Sequence, residues 1–96
     1  MHKIAGFCKT EHFCFRQWDR QISDKILTHV LKHMDPNMPN TLCIVSRKVL
    51  RKINRNMNTE LFIKIDRTTL ITCFYCDFQE YCSGGREQKY VIINQI

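Results

Sequence analysis

The spacing of apolar residues divides the chain into a helical first part and a second part typical of strands. One set recurs at helical spacing and predicts a helix over 23–34, with Ser23 as its N-cap: Ile26, Leu27, Val30, Leu31 and Met34. A preceding helix is predicted over 11–20, with Thr10 as its N-cap. Residues 3–7 form a short strand or a lead-in.

After the loop "DPNMPN" the pattern changes to that of β-strands. The predicted strands are "TLCIVS", "ELFIKI", a long central strand "TLITCFYCDF" and a last strand "KYVIINQI". The turn "DRT" and the loop "CSGGREQ" separate the last three. The segment "RKVLRKIN" fits either a short helix capped by Ser46 or a strand, and we favour the helix.

This order of elements predicts an α+β fold in which two N-terminal helices pack on a mostly antiparallel β-sheet. With 96 residues, the chain fits a single domain spanning 1–96. No run approaches the roughly 18 apolar residues that a membrane span needs, and the first residues lack a secretory apolar core. We therefore expect a cytoplasmic protein that does not enter a membrane.

Positive charge is concentrated in one window of the chain. The formal net charge is +6, and no acidic residue occurs between Pro36 and Thr59. All the charged residues of that window are basic: Arg47, Lys48, Arg51, Lys52 and Arg55. A basic patch favours polyanions, so Arg47, Lys48, Arg51 and Lys52 are predicted to guide an RNA backbone or to meet an acidic protein.

Six cysteines raise the alternatives of disulfides, a metal site and simple burial. Without a signal sequence, reduced thiols are expected. A structural zinc domain using Cys73, Cys76 and Cys82 is one hypothesis for function. However, Cys73 and Cys76 lie in a predicted strand, where residues three apart point to opposite faces. The sequence therefore predicts no metal site and no cofactor, with cysteines acting as small buried hydrophobes.

The first helix carries His12, Arg16 and Arg20 at four-residue spacing, which places them on one helix face. Phe13 and Trp18 are expected to face the sheet. An imidazole that titrates near neutral pH is suited to proton transfer, and arginine holds phosphate in two-pronged geometry. A proton-transfer group and phosphate ligands together are what cleavage of RNA through the 2′-hydroxyl requires. A polar outer face of a surface helix gives the same pattern.

The pattern His12-x-x-x-Arg16-x-x-x-Arg20-x-Ile22-Ser23, then an amphipathic helix and a strand ending "TLITCFY", resembles small bacterial RelE/ParE-type toxins of the barnase/EndoU/RelE-like fold. Members carry a His before "R-x-x-x-R-G-I" and a strand "V-T-x-Y". The resemblance covers about residues 11–76. Gln21 stands where members often have Gly, and Phe74 rather than a Tyr shares the face of Thr72.

The resemblance implies one RelE/barnase-like domain with a curved sheet, and a toxin-like, metal-independent ribonuclease. His12 would be the general base or acid, Arg16 and Arg20 phosphate ligands, and Thr72 a substrate contact. An acidic antitoxin would be the protein partner. The alternative is a non-catalytic basic module, such as a phage-type inhibitor, that binds nucleic acid or an acidic protein.

Overall fold

The computed structural model describes residues 2–84 and 89–95, which form an open six-stranded sheet and four helices. The helices are α1 (Glu11–Asp19), α2 (Asp24–Leu31), α3 (Arg47–Leu50) and α4 (Phe78–Ser83). The strands are β1 (His2–Ile4), β2 (Phe7–Lys9), β3 (Thr41–Val45), β4 (Glu60–Asp66), β5 (Thr69–Cys76) and β6 (Tyr90–Ile93). The fold class is α+β, as predicted. In the described part of the chain, no helix is both long enough and apolar enough to span a membrane.

The sheet is mixed, so the expectation of a mostly antiparallel sheet is wrong. Its strand order is β1-β2-β5-β4-β3-β6. Three neighbouring pairs are antiparallel, whereas β2 with β5 and β3 with β6 are parallel. Both parallel pairs join strands that are distant in the sequence. Strand polarity here is decided by long connections, which local hydrophobic patterns do not specify.

Three predicted helix starts are confirmed by side-chain caps. Thr10 accepts a hydrogen bond from the backbone N–H of Phe13, and Ser23 accepts one from Ile26. Ser46 caps α3 in the same way. Helix α2 ends at Leu31 and not at 34, because the chain tightens there into hydrogen bonds between residues three apart.

The first face of the sheet carries the main core, beneath α1, α2 and α3. Phe13, Leu27 and Leu50 are each fully buried there, together with Leu61 and Ile63 of β4. The lead-in expected over 3–7 is a β1–β2 hairpin, which Ile4 and Phe7 anchor in the same core. The helical part therefore packs mainly against one face of the sheet.

The second face is covered by α4, which the sequence analysis missed. Tyr81 of α4 packs on Phe62, with ring centroids 4.9 Å apart, and Leu42 and Ile44 are buried beside them. Asp77 begins the helix by accepting hydrogen bonds from the backbone N–H groups of residues 79 and 80. The sequence pattern predicts the end of a strand and a loop for this segment; residues 85–88 of that loop lie outside the described residues.

A β-bulge in β5 decides which side chains lie on the second face. Lys64 pairs with Thr72, but Ile65 pairs with Leu70, so Ile71 is the extra residue. Leu70 and Cys73 consequently share the first face although they are three residues apart. Thr72 and Phe74 lie on the second face.

Candidate functional site

Helix α3 and the turns after it present cations to solvent. Val49 and Leu50 are buried, which fixes α3 against the sheet and turns its remaining side chains outward. We call the outward cations the basic turn: Lys48, Arg51, Lys52 and Arg55, all exposed. Among residues 2–84 and 89–95 none of these four forms an ion pair. Arg51 donates one hydrogen bond from Nε to the Met57 carbonyl at 2.9 Å. These charges are available to an external anion.

Arg47, which the sequence predicts to guide RNA, does not belong to this free set, because it is engaged within the protein. Its Nε donates to Glu60 Oε2 at 2.6 Å, and its Nη2 donates to Glu60 Oε1 at 3.0 Å and to Asp77 Oδ2 at 2.8 Å. These hydrogen bonds lower the pKa of Glu60 and of Asp77, and raise the pKa of Arg47. The cluster ties α3 to β4 and to the start of α4.

Helix α1 lies along β5, and its aromatic residues do not follow the predicted arrangement. Phe13 is fully buried, but Trp18 is 76% exposed, so the expectation that Trp18 faces the sheet is wrong. Five residues correspond to about 140° around a helix, and with Phe13 fixed in the core Trp18 points outward. Phe15 is also exposed, and its ring centroid lies 6.3 Å from that of Trp18. Two neighbouring aromatic rings thus face solvent.

The predicted stripe on α1 is only partly brought together with Thr72. The guanidinium carbon of Arg20 lies 6.0 Å from the ring centroid of Phe74, two residues along β5 from Thr72 on the same face. His12 is exposed and Arg16 is half-buried. The structure therefore places Arg20 near the strand face of Thr72, and leaves the His12 imidazole on the outer surface of α1.

Lys64 is the residue that sequence reasoning missed in this region. It is the register partner of Thr72 on the second face and is half-buried. Within the described part of the chain, Lys64 forms neither an ion pair nor a hydrogen bond through its side chain. A lysine inside the otherwise apolar alternation of "ELFIKI" was the available signal. Lys64 and Thr72 are thus neighbours on the second face, and Arg20 lies against Phe74, two residues further along β5.

Gln21 connects α1 to α2 through an unusual backbone conformation. Its φ is +55°, in the left-handed region that glycine adopts most readily. This is the position where the toxins that the sequence resembles often carry Gly. The sharp turn places Ile22, two residues after Arg20, in the core at 2% exposure.

The two fully buried cysteines, Cys43 and Cys73, are poorly suited to nucleophilic chemistry. Burial raises the pKa of the Cys73 thiol to about 12 and of the Cys43 thiol to about 11, which lowers their reactivity. Cys73 and Cys76 lie on opposite faces of β5, as the strand geometry predicted. In the ranges 2–84 and 89–95, no three His, Cys, Asp or Glu side chains are grouped to hold a metal ion.

No family model matches this chain, and comparisons with curated proteins and with solved structures give no match. The resemblance to RelE/ParE-type toxins therefore depends on the residues quoted for it and stays a prediction. Function must be argued from the side chains themselves.

Proposed function

We propose that this protein binds RNA through the basic turn. The observation that carries the proposal is a set of four exposed cations that form no ion pair within the described residues, in a window that has no acidic residue. Surface cations normally neutralise nearby carboxylates or are scattered among them. A continuous group without carboxylates raises the local potential and attracts a polyanion.

RNA is favoured over a compact anion because the four cations of the basic turn are all exposed and are spread along residues 48–55. The exposed asparagines 54, 56 and 58 lie between and beyond its cations. Such a surface matches a phosphate backbone, which offers one charge per nucleotide, and amide side chains add hydrogen bonds to phosphate or sugar. The exposed rings of Phe15 and Trp18 provide a second surface, on which single-stranded bases stack.

The test measures binding of fluorescently labelled single-stranded RNA by anisotropy over a range of salt concentrations. Replacing Lys48, Lys52 and Arg55 together by Gln removes three cations while leaving Arg51 on the Met57 carbonyl. If each contacts a phosphate, the slope of log affinity against log salt becomes shallower by about 2, at roughly 0.7 per contact.

The matched control replaces Lys3, Lys25 and Lys32 by Gln, which removes the same charge from exposed positions elsewhere. It is expected to bind RNA almost as well as the unmodified protein. Equal losses in both triple variants would mean that net charge alone attracts RNA, and the proposed surface would be wrong.

A second candidate function is metal-independent RNA cleavage, favoured by the free lysine opposite Thr72. Lys64 and Arg20 would stabilise the phosphorane, and Thr72 would contact the substrate. His12 would transfer the proton. The His12 side chain is exposed on α1 and is therefore open to a bound RNA.

Incubation of RNA with the protein in EDTA tests this second function. Cleavage that is lost in both His12→Ala and Lys64→Met supports it. If the protein binds RNA without cleaving it, only the RNA-binding function is supported. Lys25→Met serves as the control for removal of an exposed lysine. Cleavage retained by Lys64→Met would exclude the assigned site.

A further inference from the structure

Strand β6 forms an open edge of the sheet with an apolar surface. It is last in the strand order, and within the described residues its outer side pairs with no strand. Tyr90, Val91 and Ile92 are 42%, 42% and 49% exposed. An exposed apolar edge strand is a template for pairing with another chain, and natural proteins usually protect such edges.

We propose that the β6 edge binds an extended acidic segment of a partner protein, which adds to the sheet as a further strand. Main-chain hydrogen bonds would supply affinity, and side chains of the added segment would lie against both faces of β6. This inference does not depend on RNA binding, because strand addition uses the main chain of β6 and a different class of partner; the two surfaces share only Lys48.

Exposed cations at the two ends of β6 favour an acidic partner, because the nearby carboxylates of Glu60 and Asp77 are already engaged by Arg47. Lys89 is exposed immediately before the strand. At the other end, the backbone N–H of Ser46 donates to the Ile93 carbonyl at 3.0 Å, which places the start of α3 and its exposed Lys48 there. An uncharged apolar strand with a cation at each end complements a segment that is apolar in its middle and acidic at its ends.

The same charges disfavour a second copy of this chain as the occupant. In an antiparallel pair of β6 strands, Lys89 of each copy would approach the Lys48 end of the other. In a parallel pair, the two Lys89 side chains would face each other. Like charges in register destabilise strand pairing.

A cavity of about 390 Å³ beside β6 can accommodate a side chain of the added strand. Its apolar lining includes Ile44, Phe78 and Ile92, and the Arg47 ion cluster closes one side. Because alternate residues of a strand point to the same face, one apolar side chain of the segment would enter this cavity while its neighbours face away.

The probe is a fluorescein-labelled peptide with alternating Ile and Thr over the length of β6 and a pair of Glu at each end. We expect it to bind the full chain and to slow deuterium exchange of backbone amides in 90–93. Lys48→Glu and Ile92→Lys should each weaken binding about tenfold or more. Since Ile92→Lys adds positive charge, its loss of affinity isolates the apolar contact.

Matched controls separate strand addition from charge attraction. Lys3→Glu places the same charge reversal at the opposite edge, on β1, and should change affinity by less than about twofold. The same peptide with Lys in place of Glu, and one with Ser in place of Ile, should both fail to bind. Circular dichroism confirms that each variant is folded.

Three results would overturn the proposal. The Ser-containing acidic peptide could bind as well as the probe, without protection of the β6 amides. The probe could bind equally to Ile92→Lys and the unmodified protein. Sedimentation could show a dimer that Ile92→Lys dissociates, in which case a second copy occupies the edge.

Discussion

The two edge strands of the sheet differ in how they are closed. Strand β1 has three residues, of which His2 and Lys3 are exposed and polar, and Ile4 turns into the core. Strand β6 has four residues without a charge, and three of them are exposed. Short length and surface charge protect an edge from pairing with other chains. The comparison indicates that β1 is protected against pairing with another chain, whereas β6 leaves an apolar surface exposed to such pairing.

The largest effect expected from this comparison concerns the core anchor on the β1 side. Phe7 is 2% exposed, so Phe7→Ala should destabilise the protein by about 3–4 kcal/mol. Ile92→Ala on β6 should cost less than about 1 kcal/mol, since half of that side chain is already in water. Urea unfolding of both variants tests the contrast. Similar losses would show that β6 is as firmly anchored as β1.

An intermediate effect is expected from the ion clusters that support the two sides of the sheet. Near β6, Arg47 lowers the pKa of two carboxyl groups, Glu60 and Asp77. Near β1, one carboxyl group, Asp24, has a lowered pKa. The hydrogen bond from Lys9 has the larger effect and the hydrogen bond from Gln17 the smaller. Carboxyl groups with a lowered folded-state pKa stabilise the protein above their unfolded pKa, and that stability is lost as pH falls through the folded value.

Stability should therefore decline as pH falls below about 4, and the two clusters should contribute unequally. Arg47→Met should flatten this acid decline more than Lys9→Met, because it releases two carboxyl groups and not one. Thermal unfolding between neutral and acidic pH measures the difference. An unchanged acid decline in Arg47→Met would remove the cluster as its cause.

The smallest effect is expected in the turn of the β1–β2 hairpin. Ala5 has a φ of +50° and Gly6 a φ of +85°. Because a left-handed conformation is unfavourable for Ala, Ala5→Gly should stabilise the protein by roughly 0.5 kcal/mol, after the added freedom of the unfolded chain is offset. Gly6→Ala is the matched control and should destabilise. The two shifts in Tm should have opposite signs.

Features set by neighbouring residues were predictable from the sequence, and features set by distant ones were not. Thr10, Ser23 and Ser46 each cap a helix through a hydrogen bond three residues ahead, so the pattern alone predicted those starts. Helix α4 had a similar local signal in Asp77 followed by Glu80, which the apolar run before it obscured. The fold class and most strands followed from local patterns of this kind.

The candidate site depended on contacts that no local pattern contains. Arg47 and Glu60 are thirteen residues apart and meet because α3 packs against β4. Lys64 becomes the neighbour of Thr72 through strand register. Trp18 is exposed because Phe13 alone orients α1. Counting basic residues therefore located the basic window of the sequence, but not that Arg47 is engaged by Glu60 and Asp77.

The extra residue in β5 acts as a change of phase within one strand. Before Ile71 the even-numbered residue Leu70 faces the main core, whereas after it the odd-numbered residues Cys73 and Tyr75 do. If Ile71 were paired as an ordinary strand residue, the two faces would be exchanged beyond that point, sending Phe74 toward the main core and Cys73 and Tyr75 toward α4. One added residue thus lets a single strand supply apolar side chains to the cores on both faces of the sheet. The contact of Phe74 with the second face depends on this bulge.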